Sequence, residues 1–186
     1  MTPKTLVSCE EFEHQCLAGE LGRCELVDGE VINLPPAGPG HSYSCNSFGR
    51  IIGNFVAEKK LGRVFSGEAG IHIRRDPPTT RGMDVAYFSY RRLPRGRLPK
   101  GFFRIPPELV VEVFGEDSTW EELERKVREY HELGVDMVWI ADPGTRSVKQ
   151  YPRGGQPTLI PSSGVISGGE ILPGFAVRVA EFFKDA

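Results

Sequence analysis

The sequence predicts a mixed α/β domain, with a mixed central β-sheet flanked by helices and an N-terminal helix and β-hairpin before it. Three observations predict it. Leu109-Val110-Val111-Glu112-Val113-Phe114 is a nearly unbroken apolar run of strand length, as expected of a central strand covered on both faces. A helical pattern from about Thr119 to Leu133 and a second apolar strand, Asp136–Ala141, follow it. Upstream, Cys45, Phe48, Ile52, Phe55 and Val56 recur at three- and four-residue steps, marking an amphipathic helix from about His41 to Leu61, closed by Gly62. At about 150 residues per domain, 186 residues make one domain spanning 1–186.

The remaining elements fall in order. Ser8-Cys9-Glu10-Glu11 has the form of a capping box and opens a short helix that ends near Gly19. Cys24 to Leu34 alternates around Asp28-Gly29, a dipeptide suited to a type I′ hairpin turn. Pro35 to Gly40 is too rich in proline and glycine for anything but a loop. Arg63–Ser66, Gly70–Arg74 and Met83–Ser89 read as short strands, with Asp76-Pro77-Pro78 separating the last two. Residues 90–105 form a loop rich in Arg, Pro and Gly. Asp142-Pro143-Gly144-Thr145 turns the chain into Ser147–Tyr151, and Thr158–Ile160, Glu170–Leu172 and Ala176–Phe183 complete the strands.

Composition narrows the function classes. Hydrophobic residues make up 39% and charged residues 26%, the balance of a soluble globular protein rather than a disordered one. No apolar run reaches the ~18 residues of a membrane span, and the first residues lack the apolar core of a secretory signal, so a cytoplasmic protein is expected. Lys and Arg number 23 against 25 Asp and Glu, a net charge of −2, so nucleic acid would have to be bound through a local basic patch. Cys9, Cys16, Cys24 and Cys45 form no CxxC pair and read as small buried hydrophobes in a reducing compartment.

Glu112 is the most informative residue. In the middle of an apolar strand its carboxylate either sits at a sheet end facing water, or is buried and needs a proton, a cation or a metal ion to offset a cost of several kcal/mol. On the following helix, Trp120, Leu123, Val127 and Tyr130 define an apolar stripe, and Lys126 projects from its edge. Lys126 can snorkel along the core or reach back towards Glu112. Asp84 begins or interrupts another apolar strand, which chain order allows to neighbour that of Glu112; alone it could cap a backbone N–H. Glu68, between glycines in Ser66-Gly67-Glu68-Ala69-Gly70, suits a bulge that turns a carboxylate inward. Converging carboxylates favour Mg²⁺ or Mn²⁺, and a nearby lysine can orient or deprotonate an attacking water.

These residues resemble the Uma-two family of bacterial restriction-endonuclease-like proteins, within the PD-(D/E)XK nuclease superfamily. The resemblance runs from Cys24-Glu25-Leu26-Val27-Asp28-Gly29-Glu30 through His41, Met83-Asp84-Val85 and Glu108-Leu109-Val110-Val111-Glu112-Val113. It continues through Lys126, Tyr130, Gly134-Val135, Val138-Trp139 and Asp142-Pro143 to Leu172-Pro173-Gly174-Phe175. It implies a restriction-endonuclease-like core, a divalent-metal site and phosphodiester hydrolysis. Asp84 matches the first metal-binding aspartate, Glu112 the second acid and Lys126 a lysine on the following helix. Glu68 matches a glutamate found in part of the family, and Glu30 and His41 match positions without an assigned role. Three departures stand out: Met83 replaces the proline before the aspartate, Phe114 occupies the superfamily's lysine position, and Glu116 and Asp117 add acids near the presumed DNA path.

Arg91, Arg92, Arg95, Arg97, Lys100 and Arg104, with no acid among residues 91–104, offer phosphate contacts or are simply solvated loop charge. Phe102-Phe103 can stack on a base, or anchor the loop to the core or a second subunit. The expected function is a Mg²⁺- or Mn²⁺-dependent DNA endonuclease with Asp84, Glu112 and Lys126 as catalytic residues and Asp84, Glu112 and Glu68 around the metal. A homodimer is expected by analogy. The alternatives are a silent module binding nucleic acid or protein on the same fold, or a metal-dependent RNA or nucleotide hydrolase.

Overall fold

The computed structural model describes residues 6–115 and 118–184. Ser8 caps α1 (Cys9–Ala18) by accepting the Glu11 N–H, and Gly19, at φ 74°, ends it in the left-handed conformation. The hairpin of β1 (Cys24–Val27) and β2 (Glu30–Asn33) turns on Asp28 and Gly29, at φ 51° and 81°, the two positive values a type I′ turn demands. α2 (Pro39–Glu58) starts with proline in its first turn and is capped by Lys59. Gly62 is therefore not its cap. It opens β3 (Gly62–Arg75), where an added Cβ would lie 2.0 Å from the Phe88 carbonyl oxygen.

β3 and β4 (Pro78–Ser89) form one long antiparallel ribbon. The two short segments expected before Asp76 are a single strand, because Gly67 and Glu68 are bulged out of the ladder opposite Asp84 rather than ending it. β4 also starts earlier than Met83, since pairing with β3 shelters the polar side chains of Thr79, Thr80 and Arg81. β5 (Leu109–Val113) is buried along its whole length. α3 (Trp120–Leu133) follows with a full Thr119–Glu122 capping box and Gly134 at φ 108° beyond its end. β6 (Met137–Asp142), β7 (Ser147–Pro152) and β8 (Thr158–Ile160) complete the sheet.

The C-terminal part departs from the sequence pattern. β9 (Val165–Ser167) and β10 (Ala176–Arg178) pair with each other, and Glu170–Leu172, expected as a strand, is the turn between them. There the Leu172 N–H donates to the Gly168 carbonyl and the Phe175 N–H to that of Leu172, which closes the backbone locally. Val179–Phe183 is a 3-10 helix, not strand.

The large sheet has the order β2-β1-β4-β5-β6-β7-β8, with β3 on β4, and among the described strands β5 and β6 are the pair that runs parallel. One face carries Val85, Tyr87, Val111, Val113, Trp139 and Ala141 against α2 and the C-terminal phenylalanines. The other presents Ala86, Phe88, Val110, Val138 and Ile140 to Leu123, Val127 and Tyr130 of α3. Each fully buried aliphatic or aromatic side chain contributes about 1.5–3 kcal/mol, so α3 is held to the sheet mainly by these three. Trp120, expected in the same stripe, is 40% exposed and lies instead against Phe114, ring centroids 5.0 Å apart. Among the described residues no helix is long and apolar enough to cross a membrane.

Candidate active site

The sheet forks at β4. β3 pairs with one edge of β4 along its length, while β1 and β5 share the other edge: β1 through Leu26 opposite Thr80, β5 through Leu109, Val110 and Val111 opposite Tyr87, Ala86 and Val85. Between the two lies Arg81-Gly82-Met83-Asp84. A buried backbone donor without a strand partner must find another acceptor. The Gly82 N–H donates to Glu25 Oε1 at 3.2 Å, and across the fork the Val113 N–H donates to Asp84 Oδ2 at 2.8 Å. The gap is thus filled by acidic side chains.

Glu112 points into the fork from β5. Its Oε2 accepts from the Lys126 ammonium at 2.9 Å and its Oε1 from the Tyr130 hydroxyl at 2.8 Å. Lys126 and Tyr130 are four residues apart on α3 and reach the same carboxylate. The ammonium also lies 2.9 Å from Glu25 Oε1. Glu25 in turn accepts from Arg81 at 2.7 Å, and Arg81 donates to Glu129 at 2.7 Å. Arg125 joins Glu129 to Asp28, and Arg74 binds Asp28 from β3.

Burial pushes Glu112 up to about 7; the Lys126 ammonium opposes the shift, while Asp84 and Glu25 add to it. Burial would lower Lys126, but Glu112, Glu25 and Asp84 more than offset it, and the amine stays cationic well above its ordinary range. Glu25 is held low despite burial, by Lys126 and Arg81. The fork thus brings Glu25, Asp84 and Glu112 around Lys126, with Arg81 shared between Glu25 and Glu129.

Asp84 receives a third element, α2. His41 Nε2 lies 3.2 Å from Asp84 Oδ2, and this hydrogen bond raises the imidazole's pKa against the effect of burial. Cys45, one turn on, places its Sγ 3.5 Å from His41 Nδ1. The β3 bulge, with Gly67 at φ 86° and Glu68 at φ 60°, brings Glu68 to the same region, where it pairs with Arg23. Arg23, Glu25, Asp84, Glu112, Lys126 and Phe102 are among the residues lining a cleft of about 880 Å³.

Asp84, Glu112 and Lys126, singled out in the sequence, thus converge, and Glu68 reaches the cleft already bound to an arginine. Glu30 lies on β2, outside the cleft lining. None of the six basic loop residues lines the cleft. Arg92 is engaged by Asp136 and by the carbonyls of Pro106, Pro107 and Gly134, and Arg104 by Glu13. Arg91 stands 80% exposed, 3.7 Å from Glu108; Arg95 lies over the Tyr90 ring at 3.9 Å; Arg97 and Lys100 are exposed. Phe103 anchors the loop: it is buried against Phe65 and Phe88, and its backbone bonds to Gly70 and His72. Glu116 and Asp117 lie outside the described residues. Sequence reasoning missed Glu25, Arg81, Glu129 and Cys45 at the site. Their signals were weak: Glu25 in a four-residue hairpin strand and Glu129 on a charged helix read as solvent-facing, Arg81 precedes the apolar part of its strand, and Cys45 falls in the apolar stripe of its helix.

Two comparisons place the chain. A family model described as "Putative restriction endonuclease" (Uma2) matches residues 9–180. A crystal structure from Anabaena variabilis ATCC 29413, titled as a putative nuclease belonging to DUF820, superposes with a TM-score of 0.79 at 18% identity, covering 96% of this chain and 98% of that one. That likeness establishes the fold. No curated protein sequence matches the chain. With nearly its whole length matched, the chain belongs to the Uma2 family, whose description supports a nuclease, a hydrolase acting on nucleic acids.

Proposed function

We propose that the chain is a divalent-metal-dependent DNA endonuclease. The observation that carries this reading is the convergence of Asp84 and Glu112 on one cleft with the Lys126 ammonium on Glu112. The donor set fits a hard cation. Two carboxylates from neighbouring strands would supply oxygen ligands, and Glu112, pushed up first by burial and then by Asp84 and Glu25, is a group whose charge a Mg²⁺ or Mn²⁺ ion would balance. Glu68 could add a ligand after releasing Arg23. When bound, such an ion supplies Lewis-acid stabilisation of charge on the phosphate and a water of lowered pKa.

The chain's own residues do the rest. Tyr130 and Lys126 fix both oxygens of Glu112, so this carboxylate keeps one orientation. Because Lys126 stays cationic, it orients the water and stabilises negative charge on the scissile phosphate, and is not the base. Hydrolysis forms a bond from water oxygen to phosphorus as the phosphorus–oxygen bond to the leaving group breaks; the water's proton passes to solvent or phosphate, and the leaving oxygen gains one. Arg95, Arg97 and Lys100 are the exposed loop residues outside the ion pairs of the described residues, and with Arg91, 80% exposed beside Glu108, would contact the DNA backbone away from the cleft. A two-fold dimer would present two such sites to the two strands, and four free cysteines suit a reducing cytoplasm.

A supercoiled-plasmid assay tests the reading. Nicking should require Mg²⁺ or Mn²⁺, stop with EDTA, and vanish in Glu112→Gln. A second reading has one observation in its favour: both Glu112 oxygens already have protein partners, as in a silent module that retains the fold for binding. Metal-independent DNA retention without cleavage would support that module and reject the nuclease.

A further inference from the structure

We propose that His41, Cys45 and Asp84 form a site for a thiophilic divalent ion of the zinc class, which competes with the hard ion for Asp84. The competition rests on the metal site proposed above; the zinc site itself does not.

The i,i+4 spacing puts His41 and Cys45 on one face of α2, and that face meets β4 at Asp84. Cys45 Sγ lies 3.5 Å from His41 Nδ1 and 4.0 Å from Nε2, and His41 Nε2 is 3.2 Å from Asp84 Oδ2. One donor atom from each residue can be chosen so that all three lie within 4.8 Å of one another. Around tetrahedral zinc, with bonds of about 2.0–2.3 Å, ligand atoms stand roughly 3.3–3.7 Å apart, so His41 Nε2 and Asp84 are already close to that spacing, while Cys45 Sγ, which lies nearer Nδ1, has to swing to the Nε2 side. One nitrogen, one sulfur and one oxygen leave a fourth position open to water. Mg²⁺ has little use for a thiolate, so softness separates this donor set from the Asp84–Glu112 pair, although both use Asp84. On zinc binding the Cys45 S–H proton, and any proton on the coordinating His41 nitrogen, pass to solvent.

Co²⁺ titration of the full chain tests the site, because a thiolate ligand gives cobalt a near-ultraviolet charge-transfer band. Wild type should develop this band at one equivalent and lose it when Zn²⁺ is added. Cys45→Ser should lack the band and bind Zn²⁺ on the order of 100-fold more weakly, and His41→Ala should also weaken zinc binding. Absence of the band in wild type overturns the proposal. So does a band that survives Cys45→Ser and disappears in Cys16→Ser or Cys24→Ser. Plasmid cleavage in Mg²⁺, measured in parallel on cobalt-free wild type, separates the two readings: cleavage without the band rejects the zinc site alone, and the band without cleavage rejects the nuclease alone. Where cleavage is seen, Zn²⁺ should inhibit it competitively with Mg²⁺, and inhibition indifferent to Mg²⁺ would contradict the shared use of Asp84.

Discussion

The Lys126 ammonium donates to Glu112 Oε2 at 2.9 Å, from the helix that covers the strand carrying that glutamate. The same ammonium reaches Glu25 Oε1 at 2.9 Å, so one side chain of α3 ties β5 to β1 across the gap where neither strand pairs with β4. The residue proposed to orient water is also a fastening of the fold.

Lys126→Ala should therefore do two things. It should abolish cleavage, and it should lower the unfolding free energy by about 3 kcal/mol, because it leaves the buried Glu112 without a cation, held by the Tyr130 hydroxyl alone, and Glu25 with Arg81 as its remaining cation. The estimate takes the low end of the range because the Lys126 side chain retains 17% exposure. Urea titration checks it, and an unchanged midpoint would mean that the ammonium contributes little to the fork.

Ligand roles divide the acids. Asp84→Asn and Glu112→Gln should each weaken Mn²⁺ binding by at least about 100-fold. Glu68→Gln should cost less than about tenfold, since Glu68 is already paired with Arg23. Calorimetric titration of Mn²⁺ into the three variants gives the order directly.

Glu112 is raised to about 7, so below that pH an incoming ion must displace a proton. Metal affinity should fall about tenfold per pH unit below 7 and level off above it. The metal-free protein has the opposite dependence from this group: the folded state holds the proton more tightly than the unfolded state, so this contribution to stability is complete below the ordinary carboxylate range and is lost as pH rises through about 7. Titrations and melting curves between pH 5.5 and 8.5 should show both trends, and a flat metal profile would place Glu112 outside the coordination shell.

The basic loop should split into two behaviours. Arg92→Ala removes donors to three carbonyls and Asp136 and should lower stability by about 1–3 kcal/mol with little change in the salt dependence of DNA binding. Combined Ala replacement of Arg95, Arg97 and Lys100 should leave stability within about 0.5 kcal/mol and reduce the salt slope by about 0.9 for each phosphate no longer neutralised. Fluorescence anisotropy across a salt series distinguishes the two.

What was legible in the sequence was what local pattern encodes. Glu112 announced itself because a charge in an apolar strand needs a partner, and Lys126 because it stands at the edge of a helix's apolar stripe. The fork was not legible. It depends on β1 and β5 meeting the same edge of β4, and no local signal tells Glu25 that Gly82 and Lys126 will lie beside it. Glu129 likewise reads as a solvent-facing helix residue, yet it is buried because Arg81 comes from β4 to meet it. The C-terminal misreading has a similar cause: Ile171 and Leu172 supply an apolar pair of strand character, but Gly168 and Gly174 impose tight turns on either side. An added Cβ at Gly168 would stand 2.4 Å from Leu172, and Gly174 adopts φ 82°.

The central claim is that Asp84 and Glu112 share one divalent ion. Anomalous diffraction from crystals soaked in Mn²⁺ tests it most directly. The account predicts a single strong peak within coordination distance of both carboxylates, beside the Lys126 ammonium. A peak that touches neither acid, or none at saturating Mn²⁺, would contradict it.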